Sequence, residues 1–152
     1  VRALGLDLGA KRIGVAVSDD AGTVATPLEV VQRTGDRRGD HRRLAALASE
    51  WEVDVVVVGL PLSLDGRTGP AASGVLAEVR QLEGVLGVPV ATQDERLTTV
   101  TAQRQLHDQG LDARASRKVV DMVAASVLLQ SWLDAGGSAP RDVPAAASPT
   151  DA

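Results

Sequence analysis

Leucines alternate with small or acidic residues at the start of the chain. Leu4, Leu6 and Leu8 fall on one face of an extended segment, and Gly5, Asp7 and Gly9 on the other, so residues 2–8 read as a strand. Residues 12–18 repeat the pattern, with Ile13, Val15 and Val17 on the apolar face and Gly14, Ala16 and Ser18 opposite. The short link at Ala10 and Lys11 suits a hairpin. Both strands thus carry one face of small residues, which admits either a ligand or a tightly packed helix close to the backbone.

A turn at Asp20-Ala21-Gly22 leads into a third expected strand, 24–32, with Asp19 and Asp20 as turn initiators. Helical spacing of Leu44, Leu47, Ala48 and Trp51 predicts a helix over 40–51. The apolar run Val53 to Leu60 predicts a strand buried on both faces. A Gly- and Asp-rich loop, 61–70, precedes a helix over 70–86 with Val75, Leu76, Val79 and Leu82 inward. A fifth strand over 88–93 follows, then a helix over 98–109 ended by Gly110. The last helix is expected over 116–134, with Ser116 as N-cap and Gly136 beyond its end. This order predicts an α/β domain with a mixed sheet. Residues 1–135 form the expected domain, and the Pro-, Ala- and Ser-rich stretch 136–152 reads as a disordered tail.

Composition narrows the function. The 152 residues suffice for one core, and no cysteine is available for disulfides or thiolate-bound zinc. No apolar run approaches the roughly 20 residues of a membrane span, so a cytoplasmic protein without a membrane partner is expected. The net charge of −4 argues against a generic nucleic-acid binder, although bound cations would offset an acidic site. The lack of Phe and Tyr, with only two Trp, argues against single-strand binding by stacked aromatics. His41 and His107 read as solvated helix residues, and Arg37, Arg38, Arg42 and Arg43 as a basic cluster that either contacts phosphates or is solvated.

Three carboxylates stand out. Asp7 lies in mid-strand, where Asp is depleted and an unpaired carboxylate would cost several kcal/mol; a metal, an arginine such as Arg12 or Arg117, or solvent must offset it. Asp94 and Glu95 close the fifth strand, at the edge where open α/β sheets bind ligands. Capping of the next helix accounts for Thr98 or Thr99, but not for two acids followed by Arg96. Asp121 sits in a helix apolar on nearly every side, in Val119-Val120-Asp121-Met122-Val123. If these acids converge, they would suit hard cations such as Mg²⁺ or Mn²⁺, and a two-metal site would serve phosphodiester hydrolysis.

Four ordered blocks, GLDLGAKRIGVAVSD at 5–19, VVVGLPLSLDGRTGPAA at 56–72, DERLTT at 94–99 and KVVDMVAASVLL at 118–129, strongly resemble the YqgF/RuvX family of Holliday junction resolvases, also described as pre-16S ribosomal RNA nucleases. The resemblance implies an RNase H-like fold: a mixed five-stranded sheet with helices on both faces. It implies that Asp7, Glu95 and Asp121 are the catalytic, metal-binding acids, and that Lys11, Arg12, Arg67, Arg96 and Lys118 are phosphate-contact candidates. The match departs from RuvC-type resolvases at the fourth strand, which ends in Gly59-Leu60-Pro61 where those enzymes place an acid. The implied substrate is branched DNA or precursor ribosomal RNA, and junction resolution would call for a homodimer. Two rival classes stay open: a non-catalytic nucleic-acid-binding or assembly module, whose acids would pair with arginines, and ATP-dependent phosphotransfer on an actin-like fold.

Overall fold

The structure, a computed structural model, describes residues 1–62, 67–94 and 113–137, without the side chains of 113–122. Strand β1 (Ala3–Leu8) pairs antiparallel with β2 (Arg12–Ser18), and β2 with β3 (Ala25–Gln32). Helix α1 (Arg37–Glu50) leads to β4 (Val55–Leu60), parallel to β1, and helix α2 (Pro70–Leu86) to β5 (Val90–Asp94), parallel to β4. Helix α3 (Ala113–Asp134) ends the described fold. The sheet order is β3-β2-β1-β4-β5. The expected mixed five-stranded sheet is therefore present. Among the described residues, no helix is long and apolar enough to cross a membrane.

The period-2 pattern partitions the core as the sequence predicts. Leu4, Leu6, Ile13 and Val15 are fully buried beneath α1 and α2, against Leu44, Leu47, Val79 and Leu82. Each such side chain contributes about 1.5–3 kcal/mol by leaving water. The opposite face, with Ala3, Ala16, Val57 and Ala91, packs on Ala125, Leu128, Leu129 and Trp132 of α3. The small-residue face of β1 is thus covered, at residue 5, by a helix. A Cβ at Gly5 would stand 2.8 Å from Leu129 Cβ and 3.1 Å from the Ala125 carbonyl.

Local chemistry moves several element ends. Helix α1 starts at Arg37, earlier than apolar spacing suggests, because the Asp36 carboxylate accepts the Gly39 N–H as an N-cap. Val53 and Asp54 precede β4: Asp54 exchanges hydrogen bonds with the Arg2 main chain before the parallel ladder begins. Ser116 lies inside α3 and is not its N-cap, whereas Gly136, at φ 103, does follow the helix end. The turn after β2 forms as expected, with Asp19 accepting from the Thr23 hydroxyl and from the Thr23 and Val24 amides. These bonds, the Thr23 hydroxyl foremost, hold the Asp19 carboxyl at about 2. Pro27 is accommodated in edge strand β3, where a register shift interrupts pairing at Val15 and Ala16. The helix expected over 98–109 lies outside the described residues.

Overpacking at the sheet–helix contact gives a direct test. Gly5→Ala should destabilise the fold by about 1–3 kcal/mol, because the added methyl meets backbone and a Cβ rather than a flexible side-chain tip. Urea unfolding of the variant measures this, and an unchanged midpoint would contradict the close approach of α3.

Candidate active site

Strands β1, β3, β4 and β5 all run toward one edge of the sheet, and that edge carries the chemistry. Asp7 lies one residue from the end of central strand β1, half-buried, opposite Gly14 of β2. It shares the parity of Gly5, so it is on the α3 side of the sheet. Helix α3 runs against β1 with its C-terminal end toward the strand's start. A Cβ at Gly22 would stand 3.1 Å from the Val1 carbonyl and 3.9 Å from Leu133, so the end of α3 lies near the strand's start, while Ala125 and Leu129 cover Gly5. Two strand residues advance about 6.6 Å, and four helix residues about 6 Å. Position 121, one turn before Ala125, is thereby brought toward the level of Asp7.

The hairpin after β1 is fixed by its backbone. The Gly9 amide donates to the Asp7 and Arg12 carbonyls, 3.0 Å each, and a Cβ at Gly9 would lie 2.6 Å from the Arg12 carbonyl oxygen. Only glycine fits there. Lys11 is exposed at the hairpin tip, and Arg12 opens β2 opposite Gln32. Arg67 is exposed just before α2, whose N-cap is Gly69. Asp94 ends β5 in register with Leu60. Its parity follows Val90, on the α1–α2 side, whereas Ala91 and Gln93 share the face of Asp7; the Gln93 amide donates to the Ser131 hydroxyl of α3 at 3.2 Å. Asp7, Arg12, Arg67 and Asp94 each engage in a polar or electrostatic interaction. Glu95 and Arg96 lie outside the described residues; Asp121 and Lys118 belong to α3, where only their backbone is described. Among the described residues no three acids or histidines form a metal-sized cluster.

Beside this edge is a buried charged cluster that sequence reasoning missed. Glu78 of α2, 3% exposed, accepts two hydrogen bonds from the Arg33 guanidinium at 2.9 Å and one from His41 Nε2 at 2.7 Å. Arg37 approaches the same carboxylate at 4.0 Å. His41, read as a solvated helix residue, is in fact 2% exposed: it stands one turn before Leu44 and so points with it toward α2. The available signal was position, since Glu78 falls one turn before Leu82 on the inward face of α2. Burial pushes the Glu78 carboxyl up, but the bonds from Arg33 and His41 and the charges of Arg33 and Arg37 outweigh it and hold it below its ordinary value. Arg33 Nε also donates to the Gly9 carbonyl at 2.7 Å. The cluster therefore ties α1, α2 and the end of β3 to the hairpin two residues beyond Asp7. Asp40, buried nearby, accepts from the Thr34 hydroxyl and amide.

The family model described as RuvX, Holliday junction resolvase, matches residues 1–135. A protein of Mycobacterium tuberculosis (strain ATCC 25177 / H37Ra) is 51% identical over 135 residues, covering 88% of this chain and 78% of its own. One of Anaeromyxobacter sp. (strain Fw109-5) is 48% identical over 134 residues, covering 88% and 97%. Both bear the name "Putative pre-16S rRNA nuclease". Among solved structures, T. thermophilus RuvC in complex with Holliday junction substrate aligns over 92% of this chain and 99% of its own, with a TM-score of 0.57 and 20% identity. That likeness establishes an RNase H-like fold.

Removing the charge of Glu78 while keeping its shape should expose the cluster's contribution. Glu78→Gln leaves the half-buried Arg33 without its counter-ion and should cost about 3 kcal/mol. Because the folded carboxyl titrates below its ordinary 4.5, its stabilisation is present above that pH and is lost as pH falls through the folded value. Unfolding followed from pH 7 to pH 3 should show a shallower acid limb for Glu78→Gln; equal slopes for both proteins would contradict the assignment.

Proposed function

The chain belongs to the RuvX family of Holliday junction resolvases, and from that premise we propose that it is a metal-dependent endonuclease in which Asp7, Glu95 and Asp121 hold divalent cations. The observation that carries this reading is the packing at Gly5. It directs α3 so that position 121 approaches the level of Asp7, on the same side of the sheet. On β5 the odd positions Ala91 and Gln93 share that side, and Glu95 is the next odd position. An all-carboxylate donor set, in a chain without cysteine, fits Mg²⁺ or Mn²⁺.

When bound, two such ions would activate a water for attack on phosphorus and stabilise the leaving 3′ oxygen. The chain's own part is positional. It presents Asp7 from a central strand fixed on both sides, and it keeps the adjoining hairpin rigid through Gly9. Lys11, Arg12 and Arg67 stand around the same edge as phosphate contacts, with Arg96 and Lys118 proposed to join them. Residues 1–135 would form the nuclease domain, with 136–152 as a tail. The names of the relatives favour precursor ribosomal RNA, processed in the cytoplasm, as substrate. A second reading, favoured by the family description, is resolution of four-way DNA junctions by a homodimer.

Cleavage of a labelled precursor 16S rRNA fragment and a four-way DNA junction in Mn²⁺ tests the proposal. Wild type should cut, with the preferred substrate deciding between the two readings. Asp7→Asn should fold and bind but not cut. EDTA should stop the reaction, and Mg²⁺ or Mn²⁺ should restore it. Cleavage undiminished by chelation would contradict the metal mechanism, and binding of both substrates without cleavage would favour a non-catalytic binding module.

A further inference from the structure

Five of the 16 Lys and Arg residues of this acidic chain fall between positions 33 and 43. The structure divides them into two groups. Arg33 is bound to buried Glu78 and the Gly9 carbonyl, and Arg43 meets Glu29 at 3.1 Å. Arg37, Arg38 and Arg42 are exposed on the first two turns of α1. Among the described residues, the acids beside them on α1 and α2 have other hydrogen-bond partners. Glu78 is buried against Arg33 and His41, Asp40 is buried against Thr34, and Asp36 caps the Gly39 amide. Among the described residues, Lys11, Arg38 and Arg42 make no ion pair, and Arg37 reaches only the 4.0 Å approach to Glu78.

Two neighbouring cavities organise this charge. One, about 510 Å³, is lined by Ala10 and Lys11 of the hairpin together with Arg33, Arg37 and a single acid, Asp40, whose carboxylate is bonded to Thr34. The other, about 560 Å³, lies between α1 and α2 and is lined by Arg37, Arg38, Arg42 and Gln81. They share Arg37, so a cationic path leads from the hairpin beyond Asp7 onto the outer face of α1. Among the described residues, the only large apolar side chain lining it that is well exposed is Val85, which argues against an apolar protein partner. Among the described residues the path carries no Phe, Tyr or Trp to stack bases on, His41 being buried against Glu78, and most of its cations are guanidinium groups, which match phosphate geometry.

We propose that this face of α1, with Lys11, binds the sugar–phosphate backbone of the nuclease's own substrate, on the strand flanking the cut. The proposal rests on the nuclease reading above. It adds a sequence-independent electrostatic surface outside the carboxylate site, and it explains how a chain of net charge −4 engages a polyanion.

Fluorescence anisotropy in EDTA, with a precursor 16S rRNA fragment and a four-way DNA junction as probes, separates this surface from catalysis. Relative to wild type, R37A/R38A/R42A should bind about tenfold or more weakly near 0.1 M salt, and its log K against log salt slope should shrink by about 2–3. Arg80→Ala, exposed on α2 and lining neither cavity, should bind as wild type does. In Mn²⁺ the triple variant should keep its cleavage rate at saturating substrate and show a raised KM. Should the triple variant misfold by circular dichroism, R38Q/R42Q gives the same comparison with a slope change of about 1–2. Unchanged affinity and slope in a folded variant would overturn the proposal while leaving the nuclease reading intact. Failure of wild type to bind either probe would overturn both.

Discussion

Helix α3 can lie against the sheet only because β1 offers no side chain at residue 5. The Leu129 Cβ and the Ala125 carbonyl occupy the space a methyl group would need. This one close approach fixes how far along the strand the helix sits, and therefore which helix position comes nearest to Asp7. The rest of the second core layer, from Ala3 and Ala16 to Trp132, follows the same requirement for small residues on the sheet and large ones on the helix. The contact is structural, yet its consequence is chemical: it brings an acid-bearing turn of α3 toward an acid-bearing strand.

On the other side of the sheet, rigidity comes from charge as well as packing. Desolvation of Glu78 is offset by a bidentate arginine and a histidine, and the same arginine holds the Gly9 carbonyl. Breaking such a pair is costly because it leaves a buried charge behind. The hairpin that follows Asp7 is thus held from within by Gly9 geometry and from outside by Arg33. A site built on such elements keeps its geometry better than one built on free loops.

Much of the fold was legible in the sequence because β1 and β2 follow period 2 closely, with large apolar residues on one face and small ones on the other. Leu4 and Leu6 against Gly5 and Asp7 already separate the two core layers, and the bounds of α2 follow from its apolar spacing. What was not legible came from long-range pairing. His41 looks solvated until Glu78, 37 residues away, is known to face it. Ser116 looks like a cap because Ser commonly caps, yet α3 already includes residue 113. For the candidate site, the sequence singled out Asp7 and Asp121 by their apolar settings, and the fold supplies the relation between their positions. Glu95 lies outside the described residues and stands on family resemblance alone.

Calorimetric titration of Mn²⁺ into wild type, Asp7→Asn, Glu95→Gln and Asp121→Asn, each first shown to be folded, tests the central claim most directly. Convergence of the three acids predicts that wild type binds Mn²⁺ and that each single variant loses or greatly weakens that same binding. Undiminished Mn²⁺ affinity in any one folded variant would remove that carboxylate from the site, and undiminished affinity in all three would contradict the account.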